Sequence, residues 1–591
     1  MKKILGSALT AVLLTGCSGG LSRMLPPATA TGGASGAANA ARAARAAIVA
    51  PAGWSTTLTQ GLSVAGGTDN GALDPATKLT VRVALNLRNE SDLQHLIASG
   101  QKISPSQFAS QYGPAASDLQ AMASYLQSNG LSNIEVGSQM VSADGTAAQV
   151  TKAFNTTLHS FSTSQGNVYA NVAPAFVPSS FDGKVAAVLG LSNATKMSVT
   201  PHLSKSVSCF PTATPTGQCV PLFQAADVQR FYDATNTPAA TGTTIAVIAE
   251  GNVSQVVTDL RLAESVQGLP TVPVTVVTVG LPSPDTSGGG EWDLDTQSST
   301  GMAQNVSMLY IYATTSLTDS DIAHNYQRWV QDDKAQLGNS SFGECEYAAY
   351  LDGSMAVDDH LFEQGAAQGQ TMMASTGDTG SSCAVVGTNG APGSGPPMVS
   401  YPATSPWVLG VGGTSAISNA DGSYSGETAW NAGGGGLSQF ENSTQWQQVA
   451  LPTHTGLAAT NLRGLPDVAM AADPNLGGYN VYGQNIPGVG ACSSGCGIGG
   501  TSEASPLTVG SLARLLTAHP GLGYLPPHLY ANWNANQNNT ATVTGPPPTQ
   551  TLGGFHDIIT GANGAYQALP GYDYTTGMGT LDISVMNGQI Q

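Results

Sequence analysis

The sequence predicts an α/β fold, a mostly parallel sheet with helices on both faces, preceded by a smaller α+β unit. Two patterns predict it. From about residue 223 onward, short apolar runs alternate with helical stretches, the order that β-α-β crossovers produce. Before residue 200, strand-like and helix-like segments mix in a compact stretch. With 591 residues, the chain is long enough for at least two domains.

The elements follow in order. Residues 1–17, "MKKILGSALTAVLLTGC", join two lysines to an apolar run, the pattern of an export signal. Its end, Leu14 to Cys17, resembles a bacterial lipobox. A lipid on Cys17 would then anchor the precursor at the cell envelope, with the mature protein released outside. No later apolar run nears the roughly 18 residues that span a bilayer. Residues 18–70 are Ala/Gly-rich and read as a tether, with an Ala-rich helix near 37–49.

Residues 71–199 form the α+β unit. "KLTVRVALNLRN" alternates as a strand, "ESDLQHLIAS" has helical spacing, and "SDLQAMASYLQSNG" is a helix stopped by Gly130. "LSNIEVGSQMVSADG" follows as strand and turn, and "AAQVTKAFNTTLHSF" begins as a helix. Residues 200–222 are a Pro/Thr/Ser-rich linker, a natural place for proteolytic cutting. In residues 223–591, the strands "TTIAVIAEG", "VPVTVVTVG", "LGNSSFGEC" and "QTMMASTGD" alternate with helices "SQVVTDLRLAESVQG", one beginning near Glu291, "SDIAHNYQRWVQDDKAQ" and "AVDDHLFEQGAAQG".

Besides Cys17 the chain has six cysteines. An exported protein sits where disulfides persist. Proximity favours Cys209–Cys219 and Cys492–Cys496, leaving Cys345–Cys383, among 15 possible pairings. Zinc-finger spacing is lacking. Residues 1–205 hold 13 Lys/Arg against 8 Asp/Glu, and residues 206–591 hold 6 against 29. So acidic a C-terminal part argues against nucleic acid as a partner. It also lets the basic N-terminal part dock on it, an attraction that acid would weaken.

Two serines follow the letters "GGT". Ser415, in "WVLGVGGTSAISNADGSYS", ends a β-like run and precedes a turn, so it reads as structural. Ser502, in "GIGGTSEASPLTVGSLARLLTAH", opens a helix whose N-terminus favours developing negative charge. It is either a nucleophile or an N-cap. Pro506 fits a first-turn position or a kink. A nucleophilic serine needs a base, and none of the nine histidines lies in an "HGTH"-like stretch. Glu291 and Asp295, in "SGGGEWDLDTQSSTGMAQ", are four apart and share a helix face, with Asp293 turned away. Two close carboxylates cannot easily both ionise, so one can hold a proton and steer the other. The alternative is an acidic first turn that only complements the helix dipole.

These motifs resemble the sedolisins, or serine-carboxyl peptidases, with a kumamolisin-type N-terminal activation prodomain. "GEWDLD" looks like their Glu-x-x-x-Asp helix, "GGTSEASP" their nucleophile turn and "ASTGDTG" their oxyanion segment. "SSFGECE", "YPATSPWVLGVGGTS", "WNAGGGGLSQF", "RGLPDVAMAADP" and "GYDYTTGMGT" are also similar to the family. The resemblance implies a subtilisin-like catalytic domain behind a ferredoxin-like inhibitory prodomain. It implies Ser502 as nucleophile, Glu291 as general base, Asp295 as its partner and Asp378 as the oxyanion residue. It also implies one structural Ca2+ held by the Asp557 and Asp573 carboxylates and the Ile558, Leu569 and Gly571 carbonyls. Leu569, where relatives commonly have glycine, and "HDII" are small departures. The expected protein is an acid-active endopeptidase, made as a monomeric, self-activating zymogen that cuts proteins and peptides. A silent calcium-binding lipoprotein on the same scaffold, a Ser-His-Asp peptidase and an adhesin are the alternatives.

Overall fold

The structure is a computed structural model that describes residues 34–164, 166–199, 202–204, 222–383, 396–419, 421–450, 461–536, 542–544 and 547–590. The signal, Cys17, the Cys209–Cys219 pair and most of the 200–222 linker lie outside the described residues.

The N-terminal unit runs β1 (Lys78–Leu85), α1 (Ala116–Ser128), β2 (Ser132–Val136), β3 (Met140–Thr146), α2 (Ala147–Phe154) and β4 (Val185–Leu189). The strands lie in the order β2-β3-β1-β4, all antiparallel. This β-α-β-β-α-β arrangement is the ferredoxin-like one. Thr146 and Gln149 form a capping box that starts α2 directly from β3. Val81, Val83, Leu119, Met122, Leu126, Val150 and Phe154 fill the unit's own core.

The stretch read as a tether is structured in its later part. Residues Ala34–Ala46 form a helix rather than 37–49, and Trp54–Thr56 and Thr68–Ala72 pair with strands of the N-terminal unit. The helix docks on the C-terminal domain. Ala41 is buried beside Cys345, Tyr347 and Cys383, and the Arg45 guanidinium stacks 3.7 Å from the centre of the Tyr350 ring. Apolar alanines at helical spacing supply the contact face, which composition alone does not separate from a flexible linker.

The larger domain contains β5 (Ala240–Glu250), α3 (Ser254–Gln267), β6 (Val274–Val279), α4 (Gly289–Ala303), β7 (Val306–Thr314), α5 (Asp319–Asp332), β8 (Leu337–Ser340), α6 (Ser354–Gln368), β9 (Thr371–Ser375), β10 (Val408–Ser418), β11 (Tyr424–Ala429), β12 (Val468–Ala471), β13 (Gly490–Gly499) and α7 (Thr501–Ala518). Its main sheet has eight strands, ordered β6-β7-β5-β8-β9-β10-β11 with β12 also on β10. All neighbours are parallel except β10 and β11. The sequence reading passed over β7, "VSMLYIYAT", which is the partner of both β5 and β6. Cys345–Cys383 and Cys492–Cys496 are bonded.

Helix α4 is buried along its whole length although it is rich in polar residues. Its hydroxyls turn back on the helix. Thr296 donates to the Trp292 carbonyl, Ser298 to Leu294, Ser299 to Asp295 and Thr300 to Thr296, at 2.6–2.8 Å. These bonds meet the rule that buried polar groups be satisfied. Helix α7 crosses α4 at Gly510, where a Cβ would stand 2.4 Å from the Ser299 carbonyl oxygen.

The N-terminal unit sits on α5 and α6. Met140 of β3 donates its N–H to Gln327 Oε1 at 2.9 Å. Arg82 of β1 donates to Ser320 Oγ at 2.6 Å and pairs with Asp321 at 3.1 Å. At Arg82–Asp321 a base of the N-terminal unit meets an acid of the larger domain.

Candidate active site

The candidate residues converge from helix N-termini and the C-terminal ends of parallel strands, where open α/β sheets place their sites. Glu291 and Asp295 stand in the first turns of α4, both inaccessible to solvent. Asp293, on the other side of α4, faces Asp259 of α3, and burial with that repulsion raises it to about 9. Ser502 is the second residue of α7. Gly500 before it has φ +117°, and a Cβ there would lie 2.6 Å from Asp378 Oδ2. Only glycine brings the chain around this corner against the aspartate.

Burial, then repulsion by Asp295, pushes Glu291 well above the ordinary carboxylate range, while Ser502 beside it favours the charged form. Neither Glu291 oxygen meets a hydroxyl at full hydrogen-bond geometry. That fit is loose, as is common before substrate binds. Asp295 is also raised by burial, and hydrogen bonds from Ser341 and Asn339 oppose the rise. Two facing carboxylates in a dry setting share protons rather than both ionise.

Asp378 follows β9. Its Oδ1 accepts from the Thr501 N–H and the Thr501 hydroxyl, each at 2.8 Å. Its Oδ2 lies 3.1 Å from His202 Nε2. The sequence reading missed His202, because nothing local in "TPHLSK" points to a site 176 positions away in the chain. Residues His202–Leu203 pair antiparallel with Gly499 and Ile498 at the end of β13, directly before Ser502. Burial works against charge on His202. The hydrogen bond and charge of Asp378, with Glu291 behind, outweigh it and hold the imidazole above its usual pKa. Ser341 and Asn339, at the end of β8, also escaped assignment. They are visible only once β8 is threaded between α4 and α7.

Ser415 lies in β10, and its hydroxyl donates to Asp473 Oδ2 at 2.8 Å. It is a structural serine of a hairpin strand.

Asp557 and Asp573 are both 1% exposed. Asp557 Oδ2 accepts from the Gly571 N–H, and Asp573 accepts from the N–H groups of Leu569, Thr575 and Thr576. Burial raises Asp557 to about 8, with repulsion by Asp573 adding, and raises Asp573 to about 6. Two buried carboxylates that repel each other suit a hard dication.

A subtilase-type domain behind a folded prosegment is the class that this fold and site define. The Subtilase family matches residues 285–545, and the Pro-kumamolisin activation domain matches residues 65–194. Sedolisin of Pseudomonas sp. (strain 101) is 33% identical over 544 residues, covering 86% of each chain. Xanthomonalisin of Xanthomonas sp. (strain T-22) is 33% identical over 585 residues, and the match covers 88% of this chain and 66% of that one. Kumamolisin of Bacillus sp. (strain MN-32) is 28% identical over 557 residues, covering 87% and 91%. A solved structure of Pseudomonas sedolisin, a serine-carboxyl proteinase complexed with two molecules of pseudo-iodotyrostatin, aligns with TM-score 0.54 and 33% identity over 62% of this chain and 97% of that one. The chain belongs to the sedolisin family.

Proposed function

We propose that the chain is the zymogen of an acid-active serine-carboxyl endopeptidase. The observation that carries this is the buried Glu291–Asp295 pair facing Ser502 at the mouth of α7. At pH 4 a histidine of ordinary pKa is only about 0.3% neutral, a poor base. A carboxylate can supply a charged base in acid, and Ser502 and the His202 charge favour the charged form of Glu291 against its burial. In this reading Glu291 takes the proton of Ser502 as the hydroxyl attacks the peptide carbonyl. Asp295 orients Glu291 and balances the proton it gains. Glu291 then returns the proton to the departing amine, and water repeats the cycle on the acyl-enzyme.

Asp378 serves the oxyanion and must be protonated to donate. In this chain it accepts three hydrogen bonds instead, one from His202. The linker strand against β13 therefore supports a closed zymogen, with the prodomain as its own inhibitor. Cutting near residues 200–210 frees the catalytic part. The substrates are proteins and peptides, the protein acts as a monomer, and the precursor is exported and lipid-anchored through Cys17. Asp557, Asp573 and the Ile558, Leu569 and Gly571 carbonyls would hold one Ca2+, which would cross-link the C-terminal loops.

A peptide-library digest across pH 2–8 tests the reading. Ser502→Ala and Glu291→Gln are each expected to lose about 10⁴-fold or more in turnover. Near-full activity in either variant at acid pH would sink the assignment.

A further inference from the structure

The segment Ser340–Cys345 runs beside the carboxylate pair and has no role in the mechanism above. We propose that Ser341 is a positioning residue for that pair: its hydroxyl holds Asp295 as a hydrogen-bond acceptor and, through Asn339 and Ser505, ties it to the nucleophile's helix. The proposal rests on the Ser502/Glu291/Asp295 reading.

Ser341 Oγ donates to Asp295 Oδ1 at 2.5 Å and lies 3.3 Å from the Ser502 carbonyl oxygen. The direction of the first bond follows from its neighbours. Ser505 Oγ donates to Asn339 Oδ1 at 2.7 Å, which fixes the amide. Asn339 Nδ2 then donates to Ser341 Oγ at 2.9 Å. A hydroxyl has a single proton. With Asn339 donating into it, that proton is left for Asp295 or for the Ser502 carbonyl. The carboxylate wins while it is charged, because the bond is shorter and charge-assisted.

The Ser502 carbonyl is available for a reason written in the sequence. In a helix it would accept from the N–H four residues on, and that residue is Pro506, which has none. Pro506 thus leaves an acceptor beside the nucleophile, and Ser341 is the hydroxyl within reach of it. All the partners are dry: Asn339, Ser505 and Asp295 are fully buried and Ser341 is 1% exposed. The chain Ser505–Asn339–Ser341–Asp295 therefore runs from α7 through β8 to α4 and joins the nucleophile's helix to that of the acid pair.

Its chemical consequence concerns the pH at which the pair takes up protons. Asp295 Oδ2 has no hydrogen-bond partner, so Oδ1 receives nearly all its support. A donor to the charged form favours that form. Ser341 thereby lowers the pH at which Asp295 is protonated, so the pair keeps negative charge, and with it a base for the Ser502 proton, to lower pH. The charged groups facing the pair from other elements are Asp378 after β9 and His202 from the linker. Neither contacts Ser341.

The test compares Ser341→Ala, Ser341→Thr and Ser505→Ala, each made as the full chain and acid-activated like the wild type. The rate of peptide hydrolysis is measured from pH 2 to 8. Ser341→Ala is expected to lower kcat about 10-fold with KM within twofold, and to move the acid limb of kcat/KM up by about one pH unit. Ser341→Thr keeps the hydroxyl and restores the limb. Ser505→Ala removes only the far end of the chain and moves the limb the same way by less, so it carries the test if Ser341→Ala does not fold. An acid limb unmoved in the folded alanine variants, or equal loss in Ser341→Thr, overturns the proposal. If Ser502→Ala itself stays active, the triad reading fails instead.

Discussion

Single residues decide where this site holds its protons. Burial raises both Glu291 and Asp295, and repulsion by Asp295 adds to the rise of Glu291 while Ser502 and the His202 charge oppose it. Asp557 and Asp573 pose a similar problem, with burial and mutual repulsion raising Asp557. A dication there would bind the folded state and not the unfolded one, and so stabilise it by mass action. Saturating Ca2+ is expected to raise the unfolding temperature by about 5 °C over the chelator-treated protein. Differential scanning calorimetry checks it, with Asp557→Asn as the control that should lose the response. A shift shared by wild type and variant would remove the calcium assignment. At this scale the sequence was informative where function depends on spacing along one helix, as with Glu291 and Asp295. It was silent where function depends on side chains brought from afar. Ser341 and Asn339 carry no local mark, and the meaning of Pro506 appeared only with Ser341 placed against Ser502.

At the scale of elements, the inner parallel strands were legible because they are buried on both faces and read as apolar runs, and edge strand β6, though largely exposed, is valine-rich. Strand β7 has the same character, but it follows α4 without a clear turn, and α4 shows no apolar stripe. Helix α4 is buried through self-satisfied hydroxyls rather than amphipathic pattern, so periodicity alone does not reveal its depth. The motif "RGLPDVAMAADP" owes its form to packing: Arg463 makes two bonds of 2.6–2.7 Å to Asp467, which also accepts from Tyr530 and the Gly410 N–H. The element that sequence reading could not foresee is the short strand His202–Leu203 on β13. It pins the linker beside the turn before Ser502 and places an imidazole on Asp378. Replacing His202 with alanine removes a charge-assisted bond, which is worth about one pH unit of competing protonation. Self-cleavage of the full chain is therefore expected to begin about one pH unit higher in His202→Ala, as read by gel across pH 3–7. The same onset in wild type and variant would show that the strand alone, without the imidazole, holds the linker.

For the whole molecule, the question is what acid does to the union of prodomain and catalytic domain. The charge imbalance in the sequence suggested that acid would loosen a broad attraction. The structure offers a more local lever. His324 of α5 is 6% exposed, wedged between Arg82 of β1, 3.3 Å from its Nδ1, and Glu135 of β2, 3.4 Å from its Nε2. Burial and then the Arg82 charge lower its pKa, while Glu135 and Asp321 oppose them. The sign follows from linkage. Docked, the imidazole is harder to protonate than when released, so the docked state binds fewer protons. Docking is therefore fully favoured above the ordinary histidine pKa of about 6.5 and is weakened as pH falls through it toward the lowered value. Asp319 and Asp352, raised mainly by burial, act in the opposite sense wherever docking contributes to that burial. A neutral isostere separates these effects. In a Ser502→Ala background, which keeps the chain uncut, His324→Gln is expected to lower the pH at which strands β1 and β3 lose hydrogen-exchange protection, by roughly 0.5–1 unit. If the midpoint stays where it was, protonation of His324 contributes nothing to release. The acid trigger would then lie in pairs such as Arg82–Asp321, where protonating the carboxylate removes the attraction that holds the prodomain on α5.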